Sequence, residues 1–91
     1  MPFGLQVPKP YTRESILGLI PDQMGVYGLF KPNQWIYIGS GNVRKLLLDH
    51  INSKTDMIKS YSPAYFLTEI CNNAEHLKRR LIQEYKPVCN K

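Results

Sequence analysis

The stretch "GVYGLFKPNQWIYIGSGN", residues 25–42, constrains the fold more than any other part of the chain. Two runs rich in β-branched and aromatic residues, Met24–Phe30 and Trp35–Gly39, are separated by "KPNQ", whose Pro32 and Asn33 are turn formers. The pattern predicts an antiparallel hairpin. Strand alternation puts Val26, Gly28 and Phe30 on one face and Gly25, Tyr27 and Leu29 on the other, with Trp35, Tyr37 and Gly39 sharing a face of the second strand. Tyr27 and Tyr37 are then placed to lie side by side across the hairpin.

Around this hairpin the rest of the chain reads as short elements. Residues 1–11 carry Pro2, Pro8 and Pro10 and no steady period, and read as an extended arm. "TRESILGLIP" follows as a short helix, with Thr12 as N-cap, Ile16, Leu17, Leu19 and Ile20 as its apolar cluster and Pro21 as its stop. After the loop "SGN", "VRKLLLDHINS" places Val43, Leu46, Leu47, His50 and Ile51 on one stripe of a helix capped by Asn42. Arg44, Lys45 and Asp49 fall on or near its solvent side. "TDMIKSYS" is a polar connection, and "PAYFLTEI" predicts a third strand, with Pro63 at its start where a missing N–H is tolerated. A last helix, capped by Asn72 or Asn73 and stopped by Pro87, carries Ala74, Leu77, Lys78, Leu81, Ile82 and Tyr85 inward. The expected fold class is α+β: a small three-stranded antiparallel sheet flanked by helices, in a single domain spanning 1–91.

Composition narrows the function classes. The 91 residues can bury one modest core, and 43% hydrophobic with 21% charged residues is ordinary globular usage. No apolar run approaches the roughly 18 residues of a membrane helix, and "MPFGLQVPKPYTR" lacks the basic start and apolar middle of a signal peptide. A cytoplasmic, intracellular protein is expected, without membrane partners. A net charge of +5 favours polyanions such as nucleic acid. Cys71, Cys89, His50 and His76 lack the close pair spacing of zinc modules, and two cysteines do not make a disulfide framework.

"GVY" and "YIG" on adjacent strands, followed by a helix, a third strand and a closing helix ending "LIQEYKPVCN", resemble the GIY-YIG nuclease superfamily over residues 21–90. The resemblance implies metal-dependent phosphodiester hydrolysis. Two motif tyrosines sit near the scissile phosphate. In that family a tyrosine hydroxyl, or a hydroxyl or imidazole on the first helix, orients or deprotonates the attacking water, an arginine there stabilises the phosphate, and a glutamate on the last helix holds a Mg-type ion. The residue types suit that chemistry, since a guanidinium fork matches phosphate oxygens and a hard cation wants carboxylate oxygen and water.

Carried over position by position, Tyr27 and Tyr37 match the motif tyrosines and His50 the tyrosine-or-histidine position on the first helix. Asn90 matches the C-terminal asparagine. The arginine position falls on Leu46; Arg44 is nearby, but roughly 200° around the helix at about 100° per residue. The metal-binding glutamate position falls on Lys78. Glu75 and, more remotely, Glu69 are weak candidates for a displaced metal ligand, although Glu75 also suits the third helical position beside an Asn72 cap. Three functions follow. The first is a catalytically impaired endonuclease-like domain that keeps nucleic-acid binding, DNA before RNA, through a basic tyrosine-lined cleft with Arg44, Lys45, Lys78 and Asn90, and no cofactor. The second is an active endonuclease using Mg or Mn through Arg44 and Glu75 or Glu69. The third is a protein-interaction scaffold, with "HLKRR" a solvated helix face.

Overall fold

The computed structural model describes residues 8–52, 58 and 61–90; residues 1–7 of the expected arm and most of the 55–62 connection lie outside the described residues. In chain order the elements are β1 (Lys9–Pro10), α1 (Arg13–Leu17), β2 (Met24–Lys31), β3 (Gln34–Asn42), α2 (Val43–Asn52), β4 (Tyr65–Ile70) and α3 (Ala74–Tyr85).

The hairpin forms between β2 and β3, paired antiparallel from Met24↔Asn42 to Lys31↔Gln34, so Pro32 and Asn33 make its turn. β3 runs further than its aromatic pattern suggests. Ser40, Gly41 and Asn42 pair with Val26, Gly25 and Met24, so "SGN" is strand and not loop. Small residues have weak strand preference of their own; here the ladder offered by β2 decides.

Two expectations about the sheet are corrected. The sheet has four strands in the order β1-β4-β2-β3, because the arm adds Lys9 and Pro10 opposite Phe66 and Tyr65. Pro10 has no N–H to give a further neighbour, which confines this short strand to an edge. Trp35 and Tyr37 do not share a face. The register shifts between Leu29, opposite Tyr37, and Phe30, opposite Trp35, leaving Ile36 as the extra residue of a β-bulge. Tyr37 and Ile36 pack with Tyr27 and Leu29, whereas Trp35 packs with Val26, Ile38 and Leu81. Alternation cannot register an inserted residue, so the sequence pattern puts Trp35 on the wrong side.

Helices cover both faces. On one, Ile16 of α1 and Leu47 of α2 are fully buried with Leu29 and Phe66; on the other, Leu81 of α3 is buried on Val26 and Ile38. Each such side chain contributes about 1.5–3 kcal/mol of hydrophobic stabilisation. Thr12 caps α1 as expected, its hydroxyl oxygen accepting from the Ser15 N–H at 3.2 Å. The helix is only five residues long, so one face alone can point inward: Ile16 is buried, but Leu17 is 48% and Ile20 66% exposed, against the expected cluster. Arg13 also reaches the Asn52 side-chain oxygen, tying α1 to the end of α2. Gly25 sits where β2 meets β4: a Cβ there would lie 2.2 Å from the Glu69 carbonyl oxygen, so the strands approach this closely only without a side chain.

Candidate functional site

Tyr27, Tyr37 and His50 converge on the α2 face of the sheet. Tyr27 lies opposite Gly39 and Tyr37 opposite Leu29, which makes the two tyrosines diagonal neighbours on one face, with ring centroids 6.1 Å apart. The α2 stripe brings His50 over them, its ring 5.8 Å from Tyr27 and 5.3 Å, edge-on, from Tyr37. The Tyr27 hydroxyl is 2.8 Å from His50 Nε2. It donates when that nitrogen is unprotonated and accepts when the nitrogen carries a proton. Tyr27 is only 2% exposed, and its hydroxyl is directed at His50. Tyr37 and His50, both half-buried, are the members of the cluster that meet solvent.

The glycine of "YIG" has a steric function. A Cβ at Gly39 would stand 2.5 Å from the Tyr27 Oη and 2.6 Å from its Cζ, so the ring lies directly over the Gly39 backbone. Asn90 then fixes the strand from its outer edge. Its side-chain oxygen accepts from the Ile38 N–H at 2.7 Å and its amide donates to the Ile38 carbonyl at 2.9 Å. Val88 and Cys89 donate to the Trp35 and Ile36 carbonyls in the same run. The C-terminal segment thereby satisfies the exposed edge of β3, which sequence alone assigns no such task.

A second cluster forms on the α3 face. Lys78 Nζ is 3.0 Å from Glu75 Oε2 and 3.1 Å from Oε1, and the Ser40 hydroxyl donates to Oε1 at 3.4 Å. The ammonium hydrogen bond holds the Glu75 carboxyl below the usual carboxylate range, with Ser40 and Arg79 adding to the effect against the opposing cost of desolvation. The capping expectation for Glu75 is corrected: the N-cap is Asn73, which makes no side-chain cap bond, and the Glu75 carboxylate turns to Lys78 instead. Lys78 sits on the expected inward stripe only in part, its side chain 27% exposed.

The remaining predicted residues are scattered around these clusters. Leu46 lies over Gly41, where a Cβ would stand 2.9 Å from its Cδ1, and packs against the buried core. Gly41 has φ +131°, a backbone conformation that favours glycine. Lys45 is exposed and Arg44 half-buried, its Nε buried without a hydrogen-bond partner among the described residues. Glu69 is half-buried on β4 opposite Val26.

β3 joins the two clusters, carrying Tyr37 and Gly39 on one face and Ser40 on the other. Sequence reasoning missed Ser40 because "SGN" reads as loop; continuing the period of two from Ile38 would have placed it facing α3.

No protein-family model matches the chain, and no curated protein matches it either. Solved structures do. The magnesium-bound GIY-YIG N-terminal endonuclease domain of UvrC from Thermotoga maritima is 28% identical, with a TM-score of 0.74 over 87% of this chain and 94% of that one. This chain has the GIY-YIG fold. A tyrosine-to-phenylalanine variant of the same domain, bound to its catalytic divalent cation, gives 28% identity and a TM-score of 0.74, covering 87% of this chain and 93% of that one. An asparagine-to-alanine variant, also cation-bound, gives 28% and 0.70 over 82% and 89%. In the present GIY-YIG fold, β2 and β3 carry the "GVY" and "YIG" motifs and α3 is the closing helix.

Around α3 of this GIY-YIG fold, the carboxylate nearest Lys78 is engaged by its ammonium, which opposes a divalent cation at those oxygens. Among the described residues no group of three or more His, Cys, Asp or Glu converges. The one carboxylate beside Lys78 already binds an ammonium, and a dication sharing its oxygens would stand within a few ångströms of that charge.

Proposed function

We propose that this chain is a GIY-YIG-fold domain that binds nucleic acid, DNA in the first place, with its phosphodiester chemistry impaired. The observation that carries the reading is the Lys78–Glu75 ion pair at 3.0 Å, on the helix where the resemblance expects a metal-binding glutamate. An internal ammonium takes up the nearest carboxylate, which is then not free to hold a divalent cation. Leu46, at the expected arginine position, offers packing on Gly41 and no charge. Removing one transition-state charge donor costs roughly a hundredfold to a thousandfold in other enzymes, and loss of the metal adds to that.

Tyr37 and His50 would line the phosphate-facing surface, with Tyr27 fixing the His50 ring and Asn90 fixing the strand beneath. Arg44 and Lys45 at the start of α2, together with Lys78, would contact phosphates. The net charge of +5 supports such contacts. Among the described residues no helix is long and apolar enough to cross a membrane, and we place the domain inside the cell as a single folded unit.

The test combines two measurements on the intact chain. Incubation with supercoiled plasmid in Mg and in Mn should give no nicking above background. Retention of a labelled DNA duplex should fall with salt, log K dropping by about 0.9 per neutralised phosphate for each decade of salt. Metal-dependent nicking abolished by Glu75→Ala would overturn impairment in favour of an active endonuclease. Absence of retention at low salt would overturn nucleic-acid binding in favour of a scaffold role.

A further inference from the structure

Donors from two different elements converge on a single carboxylate at the α3 face of the sheet. Lys78 Nζ reaches both oxygens of Glu75, at 3.0 and 3.1 Å, and the Ser40 hydroxyl donates to one of them at 3.4 Å. Lys78 and Glu75 are neighbours by helix spacing, but Ser40 arrives from β3, so the third member is placed by the fold. Arg79 stands one turn after Glu75 on the same flank of α3, exposed, and its charge also acts on the Glu75 carboxyl. An ammonium, a hydroxyl and a nearby guanidinium are the kinds of donor that phosphate oxygens take.

The carboxylate that now faces these donors is loosely held. The Glu75 side chain is 68% exposed, and exposed ion pairs of this kind contribute little to stability, so it can swing out at small cost. Lys78 and Ser40 are half-buried and have less room to move. With Glu75 in place, two cations face one anion; with its carboxylate displaced, both cations are open to an incoming phosphate. β3 is the edge strand of the sheet, and Ser40 lies three residues beyond Tyr37, roughly 10 Å along an extended strand.

We infer that Ser40, Lys78 and Arg79 form a phosphate subsite that Glu75 holds shut by taking the phosphate's place. The inference rests on the nucleic-acid reading above, which supplies the phosphate, and adds to it a competitor built into the chain. A phosphodiester backbone passing Tyr37 and His50 reaches the subsite around the β3 edge and displaces the carboxylate. The carboxylate withdrawn from a divalent cation thereby also restrains nucleic-acid binding.

The test compares wild type with Glu75→Gln, with Glu75→Gln combined with Lys78→Met, and with Glu84→Gln, which removes the same charge from the same helix outside the cluster. Duplex retention by Glu75→Gln should be tighter by about twofold to fivefold at low salt, the worth of an exposed ion pair. Its salt dependence should be steeper by about 0.9 per decade, as one more phosphate is contacted. Both gains should vanish in the double variant, and Glu84→Gln should keep the wild-type slope. An equal gain from Glu84→Gln, or a gain that survives Lys78→Met, would overturn the subsite, since overall charge would then account for it. Inorganic phosphate gives a readout that needs no nucleic acid: in Glu75→Gln, but not in the double variant, the backbone amide NMR signals of Ser40 and Lys78 should shift on titration. Phosphate shifts without duplex retention by any of the proteins support the subsite and overturn the nucleic-acid reading. Duplex retention with no phosphate shift, or with a slope that Glu75→Gln leaves unchanged, overturns the subsite and keeps that reading; absence of both overturns both.

Discussion

The Tyr27 hydroxyl and His50 Nε2 stand 2.8 Å apart, joining the buried end of the "GVY" strand to α2. Tyr27→Phe keeps the ring that lies on Gly39 and deletes the hydroxyl that makes this bond, so urea unfolding should show a loss of about 0.5–1.5 kcal/mol. The ring-nitrogen NMR signals of His50 should shift as well, because the bond biases which nitrogen carries the proton. Unchanged stability with unchanged ring signals would show that the bond is not formed in solution.

Gly39→Ala should be far more costly than an exposed glycine replacement. The new methyl would meet the Tyr27 ring at 2.5–2.9 Å, and a ring 2% exposed has no free space to swing into. A loss of about 1–3 kcal/mol is expected from overpacking. The decisive measurement is a double-mutant cycle with Tyr27→Ala: the two changes should be strongly non-additive, the second relieving the first.

Asn90→Asp tests the clamp on β3. The acceptor for the Ile38 N–H is kept, but the donor to the Ile38 carbonyl is replaced by an oxygen facing it at the former 2.9 Å. About 1–3 kcal/mol of stability should be lost, and the Ile38 amide should exchange faster with solvent than in the wild type. Equal protection in both proteins would assign the clamp no energetic role.

Leu46→Arg with Lys78→Glu restores both residue types expected from the resemblance. Replacing the ammonium beside Glu75 by a carboxylate should allow Mn binding, read by calorimetry, where the wild type gives none. Some Mg-dependent nicking should follow. A double variant that folds yet gains neither property would mean that residues 46 and 78 are not the positions at which the site was altered.

The Lys78–Glu75 pair also sets a pH dependence. Because the folded-state pKa of Glu75 is lowered, chiefly by the Lys78 hydrogen bond, its contribution is present above the ordinary carboxylate range. It is lost as pH falls through the depressed value. The pair is exposed, so the effect should be small and salt-sensitive. Glu75→Gln should remove it, visible as a flatter acid limb in stability against pH.

Much of the fold was legible along the chain. "KPNQ" between two aromatic runs is enough to predict a hairpin, and the i, i+3, i+4, i+7 spacing from Val43 is enough to bring His50 onto the side of α2 that faces the sheet. Those signals are local: turn chemistry and the period of the apolar stripe act within a few residues. The order of motifs and the replacements at Leu46 and Lys78 could likewise be read without coordinates.

Tertiary structure decided what depends on the residue across the ladder. The Ile36 bulge moves Trp35 to the far face, because register is set by the partner strand and a period of two cannot reveal an insertion. The fourth strand exists because β4 offers an edge to Lys9 and Pro10, which carry little strand preference themselves. Gly39 matters because Tyr27 lies over it, and Glu75 turns from a capping position to Lys78 and Ser40 because folding places an ammonium and a hydroxyl beside its carboxylate. By itself the sequence determined the hairpin, the helix after it, the strand over Tyr65–Ile70 and the closing helix, and which residues stand at the motif positions; close packing and cross-strand register determined the fourth strand and which side chains meet.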